Sequence, residues 1–241
     1  VQRKCTSIPS GTENSLTDLR IGRTGEVWVV GGNATVLKCT QTGCRTVSQG
    51  ATYLNSAYLD EAGILWVAGD SGRILKCVQQ GLTGEPECMA LKTGTGNSLY
   101  AITGRMDKGI WAAGLNGMVI ECSAAGDCTS HGSGLPNTLG AIAIDQTGNV
   151  WAVGTGGAMV RCSPNCSSQI VGGAANLMAI SAAPFGGVWA AGDSGTLIHC
   201  TADDRCGIVP SGAGTPLYGI AVSSAGQLWA AGGAGTVLRN F

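Results

Sequence analysis

Cysteine is the residue type whose spacing in this sequence points most directly to chemistry. Two arrangements use closely spaced cysteines, the disulfide bond and the structural zinc site with four ligands. Only His131 and His199 could complete a zinc site, and the cysteine pairs are too widely spread along the chain to combine. The spacing therefore predicts five local disulfides and no metal. Cys5 is left over, and we expect a free thiol or a bond to another chain. The predicted pairs are Cys39 and Cys44, Cys77 and Cys88, Cys122 and Cys128, Cys162 and Cys166, and Cys200 and Cys206.

Disulfides persist in oxidising compartments, so the cysteine pattern predicts a secreted or periplasmic protein. No charged-then-apolar leader stands at the start of the sequence, and we expect that a signal peptide has been removed. The chain has no run of 18 apolar residues, so we expect no membrane span.

The charge balance and the motifs argue against several functional classes. Fourteen basic and fifteen acidic residues give a formal net charge of −1, whereas nucleic-acid binders usually show a basic excess. No Ser-His-Asp context, phosphate-binding loop or His-Glu-x-x-His motif is present. We therefore expect no nucleic-acid partner, no cofactor and no catalytic activity.

The elements that must position these cysteines come from an internal repeat. Each of six tryptophans has a leucine twelve residues before it and a glycine three residues after it, and five have a cysteine eleven residues after it. The sixth copy has Asn240 at the cysteine position. The tryptophans are Trp28, Trp66, Trp111, Trp151, Trp189 and Trp229.

Each repeat of about 40 residues is predicted to form four short strands, the size of one propeller blade. The sequence thus predicts an all-β, six-bladed β-propeller, with four antiparallel strands per blade and residues 1–241 in a single domain. The last copy stops after its third strand, and residues 4–10 align with the fourth strands of other copies. We expect residues 4–10 to complete the C-terminal blade by pairing with residues 235–240, which would close the ring and place Cys5 beside Asn240.

The repeat resembles that of photosystem II assembly-factor-type propellers and the related bacterial neuraminidase (BNR) repeats. The unit Leu-x₁₁-Trp-Ala-[Ala/Val]-Gly carries the resemblance, and residues 177–200 match it best. Further along each repeat the sequence departs from the family, because the Asp-box Ser-x-Asp-x-Gly-x-Thr-Trp is absent and a cystine hairpin replaces it. The family includes protein-binding assembly factors and sugar-cleaving sialidases, so the resemblance implies the fold without choosing a function.

The candidate binding residues lie in the first two repeats. In a propeller, the loops from fourth to first strands share one face with the turns between second and third strands, and the cystine hairpins lie on the opposite face. The most polar and aromatic sector of the first face is predicted to contact a partner, the alternative being ordinary solvated loops. Its residues are Glu13, Asn14, Tyr53, Asp70 and Arg73. Tyr58 is added to them, because with Asp18 and Arg20 it is expected to face the central channel.

A second set of candidates stands at the position before the first cysteine of each repeat. It could form a cationic ring for an anionic partner, or its long side chains could bridge neighbouring blades. The set comprises Lys38, Lys76, Glu121, Arg161, His199 and Arg239.

Three functions remain open from the sequence. The first is a non-catalytic scaffold that binds a protein partner, and the second is a carbohydrate-binding lectin. The third, a sialidase-like hydrolase, needs an arginine cluster at the centre of the ring, where Arg20 alone is expected on an inner strand.

Overall fold

A computed structural model of the chain describes residues 5–81, 84–106, 109–163 and 165–240. The described residues form six antiparallel sheets and six three-residue 3₁₀ turns, which confirms the all-β class and the six blades. Within these residues we find no helix with the length and hydrophobicity needed to cross a bilayer.

Strands follow one another in chain order within every sheet. Blade 1 contains β1 (Leu16–Ile21), β2 (Val27–Gly31), β3 (Val36–Thr40) and β4 (Gly43–Ser48), and blade 2 contains β5 (Leu54–Leu59), β6 (Leu65–Gly69), β7 (Ile74–Gln79) and β8 (Pro86–Ala90). Blade 3 contains β9 (Leu99–Arg105), β10 (Gly109–Gly114), β11 (Met118–Cys122) and β12 (Cys128–Gly132), and blade 4 contains β13 (Leu139–Ile144), β14 (Val150–Gly154), β15 (Ala158–Cys162) and β16 (Cys166–Ile170). Blade 5 contains β17 (Leu177–Ala182), β18 (Val188–Gly192), β19 (Leu197–Cys200) and β20 (Cys206–Val209), and blade 6 contains β21 (Leu217–Val222), β22 (Leu228–Gly232) and β23 (Val237–Arg239).

The 3₁₀ turns include one between the second and third strands of each blade from 2 to 6. They span Asp70–Gly72, Leu115–Gly117, Thr155–Gly157, Asp193–Gly195 and Gly233–Gly235, and a further turn spans Gly172–Ala174. Gly72 has φ +69°, and a Cβ there would lie 2.1 Å from the Thr95 carbonyl oxygen, so this position requires glycine.

The hydrophobic core lies between the blades rather than inside any one of them. Each blade has a forward face, turned to the next blade in chain order, and a backward face, turned to the preceding one. Trp28 on the forward face of blade 1 packs with Leu54 and Ala57 on the backward face of blade 2. Equivalent clusters join blades 2 to 3, 3 to 4, 4 to 5 and 5 to 6. Both faces of a blade are therefore apolar, as its continuous hydrophobic strands require.

Steric crowding explains why glycine occurs three residues after each tryptophan. Gly154 pairs with Leu139 where a bulge displaces the start of β13. A Cβ on Gly154 would lie 1.7 Å from the Thr138 carbonyl oxygen, so a side chain there would push the first strand away. The repeated glycine therefore allows the backbone at the repeated leucine to approach the second strand closely.

All five predicted disulfides are present, each across a hairpin between third and fourth strands. Cα atoms of the bonded cysteines are 3.9–4.1 Å apart. Cys5 is a free and exposed thiol. The number of disulfides is typical of an oxidising compartment.

The predicted closure of the ring by residues 4–10 is wrong for the part of the chain that the structure describes. Blade 6 has three strands, and residues 5–10 form no strand, while Lys4 lies outside the described residues. The side-chain oxygen of Asn240 instead accepts a hydrogen bond from the Leu228 amide at 2.6 Å.

The physical reason is that, among the described residues, the facing surfaces of blades 6 and 1 are not buried against each other. Trp229 on the forward face of blade 6 is 45% exposed, and Leu19 on the backward face of blade 1 is 52% exposed. Their counterparts between the other blades are buried or half-buried, and Trp28 and Ala57 are among the buried ones. Residues 5–10 lead into blade 1, so they are not brought beside β23.

Titration of unfolded protein with a thiol reagent, without reductant, should find one free thiol per chain. The reason is that ten cysteines are bonded in pairs and Cys5 is not. The Cys5→Ser variant is the control and should give none. More than one thiol in the oxidised wild-type protein would contradict the pairing.

Candidate functional site

The two faces of the propeller differ in construction. What we call the loop face carries the connections between fourth and first strands together with the turns between second and third strands. The hairpin face carries the cystine hairpins and the turns between first and second strands. Five of the predicted binding residues lie on the loop face of blades 1 and 2, namely Glu13, Asn14, Tyr53, Asp70 and Arg73.

Hydrogen bonds fix the loops that carry these residues. The Asn14 side chain donates to Thr35 Oγ1 and accepts from the Asn33 side chain, both at 2.8 Å. Asn14 therefore ties the first loop to the neighbouring turn, and its side chain is already engaged within the protein. Glu13, one residue earlier, is exposed to solvent.

Tyr53 occupies the seam between blades 1 and 2. Its ring lies against Gly32, where an added Cβ would be 3.0 Å from a ring carbon. Its carbonyl oxygen accepts from the Asp70 amide at 2.9 Å, and Asp70 Oδ1 accepts from the Asn55 side chain at 3.1 Å. Tyr53 nevertheless stays 40% exposed, so a supported aromatic ring faces solvent.

Arg73 directly follows the Asp70–Gly72 turn. It lines an open groove of about 500 Å³ that is distinct from the Tyr53 seam. Leu91, Lys92 and Thr93 form the other wall of this groove. The Thr93 hydroxyl donates to the Gly72 carbonyl oxygen at 2.7 Å, which holds the turn against the loop that follows β8. Arg73 and Lys92 give the groove two cationic residues.

Tyr58 does not belong with the other candidates, and its predicted position facing the channel is wrong. Side chains of an inner strand stand perpendicular to its sheet, so they face neighbouring blades. Tyr58 packs with Trp66 and Ile110 between blades 2 and 3. Burial, together with the charges of Asp60 and Glu61, raises the pKa of its hydroxyl.

Three of the six residues before the first cysteines bond the next blade, as the bridging interpretation of this set expected, and they are Lys38, Lys76 and Arg161. Lys38 and Lys76 place their ammonium groups 5.1 and 5.2 Å from the centres of the Trp28 and Trp66 rings. Lys38 Nζ also donates to Gln79 Oε1 of blade 2 at 2.8 Å, and Lys76 Nζ donates to the Ala124 carbonyl oxygen of blade 3 at 2.6 Å. Each cation therefore covers the tryptophan of its own blade and bonds the hairpin of the next.

The remaining blades vary this arrangement. Arg161 lies 5.5 Å from the Trp151 ring and donates to the Ala202 carbonyl oxygen, and Arg239 lies 5.4 Å from the Trp229 ring. His199 stacks on its tryptophan at 4.5 Å. Burial lowers the pKa of His199, so its ring is neutral at pH 7 and the contact is stacking rather than a cation–π interaction.

A buried carboxylate, Asp145, joins blades 4 and 5 and was missed by the sequence analysis. It is 1% exposed, and its Oδ2 accepts from Trp151 Nε1 at 2.9 Å and from the Gly187 amide of blade 5 at 3.0 Å. Its Oδ1 accepts from Thr147 and from the Asn149 amide. Burial acts to raise its pKa, but these hydrogen bonds outweigh burial and hold the pKa of Asp145 below its ordinary value. A signal was present in the sequence, since an aspartate also stands six residues before Trp66, and Asp60 accepts from that indole at 3.0 Å.

The described residues include no group of three or more histidine, cysteine, aspartate or glutamate side chains arranged to hold a metal ion. The shifted pKa of Asp145 has a structural cause in its hydrogen bonds, and that of His199 in its burial. Of the candidates, Glu13 and Tyr53 are exposed on loops that hydrogen bonds hold, and Arg73 lines an open groove.

Known structures resemble the whole arrangement of blades. A catalytically inactive variant of virginiamycin B lyase from Staphylococcus aureus, solved with quinupristin, matches with a TM-score of 0.73 and 11% identity, over 94% of this chain and 84% of that one. The chain is a β-propeller. YCF48 bound to D1 peptide matches with a TM-score of 0.70 and 16% identity, over 97% of this chain and 79% of that one.

YCF48 from Cyanidioschyzon merolae matches this propeller with a TM-score of 0.66 and 15% identity, over 97% of this chain and 87% of that one. No family model matches the sequence, and no curated protein sequence matches it. At these identities the structural likeness establishes the fold alone.

Replacing Lys76 by Met should lower the free energy of unfolding by about 1 kcal/mol, because the variant keeps the apolar stem and loses the cation over Trp66 and the bond to Ala124. Lys92→Met is the matched control at an exposed position and should change stability by less than about 0.5 kcal/mol. Chemical denaturation measures both. Equal stabilities of the two variants would show that the bridge contributes nothing.

Asp145→Asn should lower the free energy of unfolding by about 3 kcal/mol, since the amide places donors opposite the donors that the carboxylate now satisfies. Because the folded-state pKa lies below the unfolded value of about 3.9, the wild-type carboxylate contributes its full stability above pH 4 and loses it as the pH falls through the folded pKa. The variant should therefore lose less stability than the wild type below pH 4. Asp203→Asn, at an exposed ion pair, is the control and should match the wild type within about 0.5 kcal/mol. Parallel acid-unfolding curves for Asp145→Asn and the wild type would refute the assignment.

Proposed function

We propose that this propeller is a non-catalytic, secreted or periplasmic binding module that serves as an assembly scaffold for a protein partner. The proposed contact surface is the loop face of blades 1 and 2, centred on Tyr53 and including Glu13, Asp70 and Arg73. The observation that carries the proposal is the exposed Tyr53 ring at the seam between blades 1 and 2, where the ring lies against Gly32 and the Tyr53 carbonyl oxygen accepts from the Asp70 amide.

The geometry of the seam supports binding in two ways. Tyrosine and arginine are enriched among the residues that dominate protein interfaces. The loops around Tyr53 are fixed by hydrogen bonds from Asn14, Asn55 and Asp70, so little ordering would be required on association. A pre-ordered aromatic ring, together with a groove on the same face lined by Arg73 and Lys92, suits a partner that offers an apolar side chain and an acidic group.

The comparisons give this proposal limited support. One of the similar structures is YCF48 bound to D1 peptide, so a propeller with this arrangement of blades binds a peptide. Another is a lyase, which keeps catalysis among the alternatives that experiment must address. The carbohydrate alternative is addressed by a glycan array, on which a scaffold should give no signal that free sugar displaces.

The test of the scaffold proposal begins with capture of a partner from the native membrane fraction or secretome, followed by measurement of its dissociation constant. Tyr53→Ala and Arg73→Ala should each weaken binding by about 2 kcal/mol, roughly thirtyfold, if they are interface hot spots. Tyr218→Ala and Arg205→Ala are the matched controls, because both residues are exposed and lie away from the proposed surface. If Tyr53→Ala and Arg73→Ala leave the affinity unchanged and substitutions on the hairpin face weaken binding, the partner binds the hairpin face and the proposed surface is wrong.

A further inference from the structure

Among the described residues, blade 6 lacks the outer strand that every other blade has. Its third strand, β23, therefore has an outer edge with no strand beside it, and an unpaired edge of this kind is a template for a strand from elsewhere. Val237 on this strand is 65% exposed, although its counterparts Val119 and Leu197 are buried. Blade 6 thus presents both an open edge and an uncovered apolar residue.

In other blades, a residue of the outer strand covers this apolar position. It stands three positions after the second cysteine of the blade. In blade 5 this residue is Val209, which pairs with Leu197, and both belong to the core between blades 5 and 6. In blade 2 it is Leu91, which follows β8 and packs between blades 2 and 3. A strand that completes blade 6 therefore needs an apolar side chain opposite Val237.

Residues 5–10 have the sequence that such a strand requires. Cys5 stands eleven residues before Leu16, and the same spacing separates the second cysteine of blades 2 to 5 from the first leucine of the following blade. Three positions after Cys5 is Ile8, which is 44% exposed. In the register of the other outer strands, this segment therefore carries an apolar residue that is still largely exposed.

Within its own chain this segment does not lie beside β23. The connection that follows it is fixed on blade 1, where the Ser15 carbonyl oxygen accepts from the Gly32 amide at 2.8 Å and the Asn14 side chain donates to Thr35. Residues 5–10 form no strand there, and the facing surfaces of blades 6 and 1 are not buried against each other. The segment and the edge that match each other are thus apart within one copy, and a second copy supplies both.

We propose that this protein forms a dimer by strand exchange, in which residues 5–10 of each copy become the outer strand of blade 6 of the other. Ile8 then covers Val237, and Cys5 lies opposite Asn240, as the second cysteine lies opposite the first in blades 1 to 5. The exchange is reciprocal and leaves neither edge open, so it produces a closed two-fold dimer. It uses none of the residues proposed to contact a protein partner, and it is therefore independent of the proposed function.

A cysteine introduced at position 240 of the full chain tests the exchange directly. The bonded cysteines at this position in blades 1 to 5 have Cα atoms 3.9–4.1 Å apart. Asn240→Cys should therefore form a disulfide with Cys5 of the partner subunit, seen as a covalent dimer on non-reducing gels and mapped by mass spectrometry. Asp203→Cys, at an exposed position on the hairpin of blade 5, is the matched control and should leave Cys5 unbonded. Adding Cys5→Ser to Asn240→Cys should abolish the dimer.

Two other outcomes of the Asn240→Cys experiment overturn the proposal. A bond between positions 5 and 240 within a monomeric chain would show that each copy closes its own blade 6. Two free thiols would show that the segment and the edge do not meet in either way.

Sedimentation equilibrium tests the exchange without a new cysteine. The wild-type protein should dimerise reversibly, and Ile8→Lys should raise the dissociation constant of the dimer about tenfold, because a charged side chain replaces the apolar contact with Val237. Ile208→Lys is the matched control, since Ile208 is 64% exposed on the outer strand of blade 5, and it should leave the constant unchanged. A wild-type protein that stays monomeric at submillimolar concentration, or equal effects of the two substitutions, would refute the exchange.

Discussion

The structure depends on the contact between the forward face of one blade and the backward face of the next. No blade has a core of its own, so each tryptophan is buried only when another sheet covers it. Trp28 is 1% exposed where blade 2 covers it, whereas Trp229 of blade 6 is 45% exposed. The Leu-Trp-Gly period follows from this requirement, because the leucine and tryptophan form the contact and the glycine lets the first strand approach.

The sequence predicts what every repeat must share. The tryptophan period determines the blades and their strands, and the short spacing within each cysteine pair determines the disulfides. Both are local or periodic features that recur along the sequence. The cations over the tryptophans follow from the same strand register, which pairs Lys38 with Trp28 and Lys76 with Trp66.

The features that the sequence did not predict correctly depend on contacts between particular blades, which the repeat does not encode. Closure required the first residues to meet the last strand, and nothing periodic determines how blades 6 and 1 lie relative to each other. Tyr58 was misplaced because the sequence shows its strand but not that the side chains of an inner strand face the adjacent blades. The Asp145 bridge depends on an amide of the following blade, Gly187, which no pattern within blade 4 reveals.

The position of the disulfides has a consequence for the biogenesis of the protein. Each bond joins cysteines 4 to 11 residues apart, and none joins two blades. The correct partner is therefore the cysteine closest along the chain, and each bond can form as soon as its own hairpin has folded, before the neighbouring blade packs against it. Each hairpin can therefore oxidise independently of the others, with little need for disulfide isomerases to reshuffle wrong pairs. The assembly of blades into a propeller, in contrast, has no covalent support and must be completed by packing alone.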